Sequence, residues 1–252
     1  MRIPSDLDKR IGKSLVMNGG EIATITEYIN YKNIIVQFDK TKEIVKCNYG
    51  RFLNGKIKSH FSPSIYGNGI IGLETIQDKN HNILDSYMCW ASMMTRCYSK
   101  NPKRYLSYKN CIVCEDWIYY SNFKKWYNIN YYKIENEKME IDKDILIKGN
   151  KIYSPETCIF VPSDINKLFV KRKILRGECC IGVYMRGNKY RASYHNKFKT
   201  IGIGTFKSEI EAFKAYKINK ENYIKEMAEK YKTLIPIKLY NSMINYIIEI
   251  TD

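Results

Sequence analysis

No run of eighteen apolar residues occurs anywhere in the 252-residue chain, so no segment reads as a membrane-spanning helix and no membrane partner is expected. The opening Met1-Arg2-Ile3-Pro4-Ser5-Asp6 has no apolar stretch of the kind a secretory signal needs, and a cytoplasmic location is expected. Acids are scarce beside bases: 26 Asp and Glu face 42 Lys and Arg, a net charge of +16. That excess favours a polyanionic partner, because neutralised phosphates release counterions and drive binding of any sequence. Histidine is scarcer still. His60, His81 and His195 are the only three, and the central segment described below contains none, so it lacks the side chain most often used as a general base. The eight cysteines, with Cys179 and Cys180 adjacent, follow no secreted framework and read as reduced and partly buried. Cys111-Ile112-Val113-Cys114 is a single pair with no second pair to complete it; Cys97 or Cys158 would have to serve, and a structural zinc is not expected.

The positive charge is unevenly spread. Residues 1–62 carry +5, residues 63–170 only +2, and residues 171–252 carry +9. The middle section therefore keeps nearly as many acids as bases, and acids that face phosphate usually need a metal ion between them. Between Lys13 and Ile57 short β-rich runs (Ile22 to Tyr28, Ile34 to Phe38, Glu43 to Tyr49) are separated by turn residues, a spacing that predicts a small barrel. Gly20 to Tyr28 followed by Ile34 to Asp39 resembles a Src-homology-like or Tudor-like barrel; its Lys32, Lys46, Arg51, Lys56 and Lys58 form either an accessory DNA or protein contact or a solvated basic face. Tyr66-Gly67-Asn68-Gly69-Ile70-Ile71-Gly72 matches a dinucleotide fingerprint in form, but no βαβ unit surrounds it, so it is read as linker.

The densest signal lies between Gly182 and Tyr231. Val183 to Arg186, the turn Gly187-Asn188, Lys189 to His195, and Phe198 to Ile203 read as a three-stranded meander. Ser208 and Glu211 make a capping box, and Phe213, Tyr216, Tyr223, Ile224, Met227 and Tyr231 recur at helical spacing. The helix is expected to cover one sheet face and leave the basic one to solvent. With Gly182-Val183, Lys189-Tyr190-Arg191-Ala192, Gly204-Thr205-Phe206 and Glu211-Ala212 through Ala215-Tyr216, these fifty or so residues resemble the AP-two/ethylene-response-factor DNA-binding domain. The resemblance implies that the sheet enters the major groove and that Tyr184, Arg186, Lys189, Tyr190, Arg191, His195 and Lys199 meet bases and phosphates. Ser193 stands where that family usually has an acid, and Gly202 where it has a tryptophan.

In the middle, Trp90, Met93, Met94 and Cys97 make one helical stripe, and Phe123, Trp126 and Tyr127 another. Glu140 to Leu146, the turn Lys148 to Lys151, Ile152 to Phe160, and a helix from Ser163 through Asn166 to Phe169 read as strand, turn, strand, helix. Strand alternation would place Asp142 and Asp144 on one face, close enough to hold one divalent cation, with Asn166 arriving from the helix. With Trp90-x-x-Met93-x-x-Arg96-Cys97, Val113 to Trp117 and Phe123-x-x-Trp126, this segment resembles the HNH-type ββα-metal nucleases of bacteriophages, often fused to an AP-two-like domain. The resemblance implies Mg²⁺ or Mn²⁺ on Asp142, Asn150 as the loop residue that orients the base, and Asn166 as the helix ligand. Lys143 stands where the general-base histidine belongs. An exposed lysine is protonated at neutral pH and takes no proton from water.

The expectation is thus an α+β protein: an N-terminal barrel (1–62), a linker (63–85), an HNH-like module (86–172), an AP-two-like domain (178–232) and a last helix (235–250) packed through Leu239, Met243, Tyr246 and Ile247. Its expected function is that of a metal-dependent, double-stranded-DNA endonuclease of phage homing type, with catalytic candidates Asp142, Lys143, Asp144, Asn150 and Asn166. Three catalytic readings stay open: a nuclease with a base recruited from elsewhere, such as His81; a weak nicking enzyme; or a degenerate nuclease kept as a DNA-binding regulator. Charge alone equally admits RNA.

Overall fold

The computed structural model describes residues 9–101, 105–170 and 178–252; the opening Met1 to Asp6 and parts of the 86–172 span fall outside them. The chain divides into two compact units, 1–128 and 129–252. That division lies inside the span expected as a single HNH-like module.

In the first unit, β1 (Ser14–Val16), β2 (Ile22–Asn30), β3 (Asn33–Phe38) and β4 (Ile44–Cys47) form an antiparallel meander in chain order. Alternation along β3 buries Ile34, Val36 and Phe38, which join Ala23, Ile25, Phe52 and Ile57 in one apolar cluster. The sheet is open, not the expected closed barrel: β1 and β4 are its edges. The reason is local. β4 is four residues long and runs at once into the helical turn α1 (Tyr49–Leu53), capped by Asn48, so among the described residues no strand returns to meet β1.

The stretch expected as a free linker is packed in place. Ile70 is buried, its N–H bonds to Ile118 O (2.9 Å), and its carbonyl accepts from Tyr120 N (2.9 Å). Gly69 lies so close to the Trp90 ring that a Cβ there would come within 2.7 Å of it. That close approach explains a glycine at this position without any nucleotide. Trp90, Met93 and Met94 project from α2 (Asp85–Tyr98) into the core; after β5 (Ile112–Val113), α3 (Glu115–Ile118) adds Trp117 and α4 (Tyr120–Asn130) adds Tyr120 and Phe123. The indole of Trp90 donates to Trp117 O at 2.7 Å.

The second unit holds β6 (Met139–Asp142), β7 (Ile152–Tyr153), β8 (Ile159–Pro162), α5 (Ser163–Asn166), β9 (Val183–Arg186), β10 (Lys189–His195), β11 (Thr200–Phe206), α6 (Glu209–Tyr231) and α7 (Ile237–Ile244). The strand order of the C-terminal sheet is β11-β10-β9, all antiparallel. Ser208 and Glu211 close a reciprocal capping box on the 23-residue α6. Its buried stripe, Ala212, Phe213, Tyr216, Lys220, Ile224, Met227, Ala228 and Tyr231, lies over the sheet. Gly182 sets the junction: it adopts φ +75°, and a Cβ there would fall 2.0 Å from the Tyr216 ring.

α7 is shorter than the 235–250 helix expected. Pro236 fixes its start and Asn245 closes it by donating to Asn241 O and Met243 O. Leu239, Met243 and Ile248 are buried, but Ile247 is exposed. Leaving the helix lets Ile248 turn inward, with its N–H held by Glu221 Oε1 at 2.7 Å.

Candidate functional site

Register fixes what the C-terminal sheet shows on each side. Directly opposed residues share a face, so Arg191↔Tyr184, Arg191↔Thr205 and Lys189↔Arg186 place Tyr184, Arg186, Lys189 and Arg191 together. Val183 and Ala192 are buried on the reverse face, and Tyr190, paired with Met185 and Phe206, also packs against that core. Tyr190 therefore lies with the hydrophobic side and not with the arginines. A bulge between Ala192 and Ser193 then shifts the pairing to Ser193↔Gly202 and His195↔Thr200. Gly202 faces open space, so the strip where the resembling family has a tryptophan carries no side chain. Lys199 is exposed in the β10–β11 turn, where Asn196 Oδ1 accepts from Phe198 N and Lys199 N at 2.9 and 2.8 Å. Among the described residues, Arg186, Lys189 and Arg191 enter no ion pair. Their charge is free to meet a partner.

The acidic segment is built differently from the expected hairpin. β6 pairs with β8, not with the strand after the turn, through Ile141↔Phe160 and Asp142↔Ile159. Asp142 is the last strand residue; Asp144 follows in a turn. The two carboxylates are thus brought together by an Asx turn and not by strand alternation: Asp142 Oδ1 accepts from Asp144 N (2.9 Å) and Ile145 N (2.7 Å). Burial and the charge of Asp144 push the Asp142 carboxyl up to about 6, against the pull of those two amides and Lys143. Lys143 is 6% exposed and its Nζ lies 3.1 Å from Asp144 Oδ2. Lys143 is thus set beside an acid in the loop that follows β6. Asn150 donates to Lys143 O and to Ile152 O, both at 2.7 Å, tying the two limbs of the loop together. Asn166, at the end of α5, donates to Glu140 Oε2 at 2.6 Å, which ties the helix to β6. Among the described residues no three His, Cys, Asp or Glu converge as a metal site.

Asp142 and Asp144 fit a hard divalent cation in donor type and charge, since two oxygen acids lie two residues apart and one bears a desolvation penalty that a cation would relieve. The amide nitrogen of Asn166 is bonded to Glu140. His81 sits in the first unit at positive φ in a turn organised by Asp78, which accepts from Asn80 N and Asn82 N.

No family model, curated protein or solved structure matches this chain.

Two features of the site went unread in the sequence. Asp164 is buried and bonds Lys167 and Lys197; burial raises its carboxyl, but the two ammonium groups outweigh that and hold it low. Lys220 stands four residues from Tyr216 and four from Ile224, on the buried stripe of α6. That spacing was visible in the sequence and marks a lysine in a core position.

Proposed function

We propose that the protein binds double-stranded DNA through the outer face of the β9–β11 sheet. The supporting observation is the register that gathers Tyr184, Arg186, Lys189 and Arg191 on the face opposite α6, with none of the three cations paired to an acid among the described residues. Arginine on a strand presented to the major groove reads guanine through two parallel donors, and the lysines add sequence-independent attraction to phosphate. Tyr184, 41% exposed, supplies an apolar ring beside them. Selection of a site from a randomised duplex library, followed by fluorescence anisotropy with Arg186→Ala and Arg191→Ala, tests this. Each variant is expected to lose about 1–3 kcal/mol on the selected site and less on random duplex. An unchanged ratio of selected to random affinity, or preference for structured RNA at matched salt, would sink it.

A second reading, metal-dependent hydrolysis of the bound DNA, is favoured by the desolvated Asp142 next to Asp144. In it Asp142 and Asp144 would hold Mg²⁺ or Mn²⁺, which supplies polarisation of a phosphate and neutralisation of the leaving oxygen. Asn150 fixes the loop through Lys143 O, and Lys143 keeps Asp144 from repelling its neighbour. Residues 86–172 contain no histidine to take the proton of water, which argues for slow nicking or for a scaffold. Supercoiled plasmid incubated with Mg²⁺, Mn²⁺ or EDTA separates the outcomes: nicks lost in Asp142→Asn support hydrolysis, and tight metal-independent retention without nicks leaves binding alone.

A further inference from the structure

The second unit contains a partly open pocket of about 320 Å³ lined by α6, β10, the segment after α5 and the chain from Tyr246 onward. Lys220 projects into its lining from the middle of α6 and is 6% exposed. Among the described residues it makes no hydrogen bond and no ion pair. Its Nζ instead lies 5.7 Å from the centre of the Tyr194 ring and 5.5 Å from that of Tyr223. The acids of the wall are already answered: Asp164 by Lys167 and Lys197, Asp252 by Lys148. One positive charge is left over inside an aromatic cavity.

We propose that this cavity is a binding site for a small organic anion, a phosphate or carboxylate on a flat apolar body, with the acidic group against the Lys220 ammonium and the body among Tyr194, Tyr216 and Tyr223. A buried ammonium answered only by ring faces lacks the partner that buried charges ordinarily have. A leucine or methionine at this helix position would fill the stripe without that penalty, so the amine is better explained by what enters the cavity than by packing. Burial pulls the Lys220 amine down to about 8, and it keeps its charge at neutral pH. The volume lies at the lower end of the range for ligand cavities, about 300–1,000 Å³, which suits a single ring with one acidic substituent. This site is separate from the arginine face of the sheet and does not depend on the DNA reading.

Calorimetric titration of the full chain with phenyl phosphate, benzoate and inorganic phosphate tests the proposal. At least one aromatic anion is expected to bind about tenfold tighter than inorganic phosphate, and Lys220→Met to weaken it by about tenfold or more. A labelling measurement on the wild-type chain covers the case in which the variant fails to fold: acetic anhydride at pH 8 should modify Lys220, and the bound anion should slow that modification. Failure of both aromatic anions to bind, equal binding by the variant, or modification unaffected by the anion would each overturn the proposal. Displacement of the anion by duplex DNA would also overturn it as a separate site.

Discussion

Lys143 and Lys220 are equally buried, each 6% exposed, yet their surroundings differ in kind. Lys143 ends beside an acid, Asp144, in a turn crowded with carboxylates. Lys220 ends between two tyrosine rings with no acid of its own among the described residues. The contrast separates paired from unpaired burial of charge. Removing one member of a buried pair strands the other, whereas removing an uncompensated charge relieves the fold. Net charge does not distinguish such places; residues 1–128 and 129–252 each carry +8.

The largest effect expected concerns Lys220. Its amine in the folded chain titrates at about 8, below the ordinary 10.5, so the penalty is complete below pH 8 and disappears as pH rises toward 10.5. Lys220→Met should therefore be more stable than wild type at pH 7 by about 3 kcal/mol in urea melts, with the gap closing by pH 10.5. A gap that stays flat with pH would show that the amine has a partner after all. Asp142→Asn should act in the same direction by about 2 kcal/mol at pH 7.5. Its carboxyl titrates at about 6 against an ordinary 3.8, so wild type holds its full stability below pH 4 and loses it as pH passes 6. The asparagine keeps the Oδ1 that accepts from Asp144 N and Ile145 N, and equal stability of the two proteins is expected near pH 3.5. Added Mg²⁺ should narrow the difference by stabilising wild type alone, read as a shift in melting temperature.

Lys143→Met should run the other way, costing about 1–2 kcal/mol at pH 7.5, because Asp144 loses its counter-ion while half exposed. Adding Asp144→Asn should recover most of that loss, and a double-mutant cycle with no coupling would remove the structural role argued for Lys143. Lys199, exposed in the β10–β11 turn, completes the series. Lys199→Ala should change stability by less than about 0.5 kcal/mol, yet lower the salt slope of DNA binding by about one if it meets a phosphate.

Much of the C-terminal architecture was legible because local signals agreed. Gly187-Asn188 between two β-rich runs, the Ser208 and Glu211 box, and the spacing from Phe213 to Tyr231 each specify an element without help from distant residues. The bulge at Ala192 and Ser193 was not legible, since it is a mismatch between two strands and neither strand displays it alone. For the same reason Tyr190 could not be assigned to a face until its partners Met185 and Phe206 were known. The acidic segment misled differently: alternation predicted a strand through Asp144, but a capping carboxylate at Asp142 offers the backbone a turn instead, and the turn prevails. The barrel expectation failed because strand spacing reports how many strands there are, not whether the last meets the first.

Gly182 and Tyr216 have a consequence for how the sheet comes into being. The ring of a helix residue rests on bare backbone at the entrance to β9, with no room for even a methyl group between them. Neither partner is at its best without the other: the helix edge would expose its tyrosine to water, and the strand entrance would lose the contact that holds an unusual backbone conformation. Assembly of sheet and helix should consequently be a single cooperative event, and a truncated chain ending before α6 should show no partly formed arginine face.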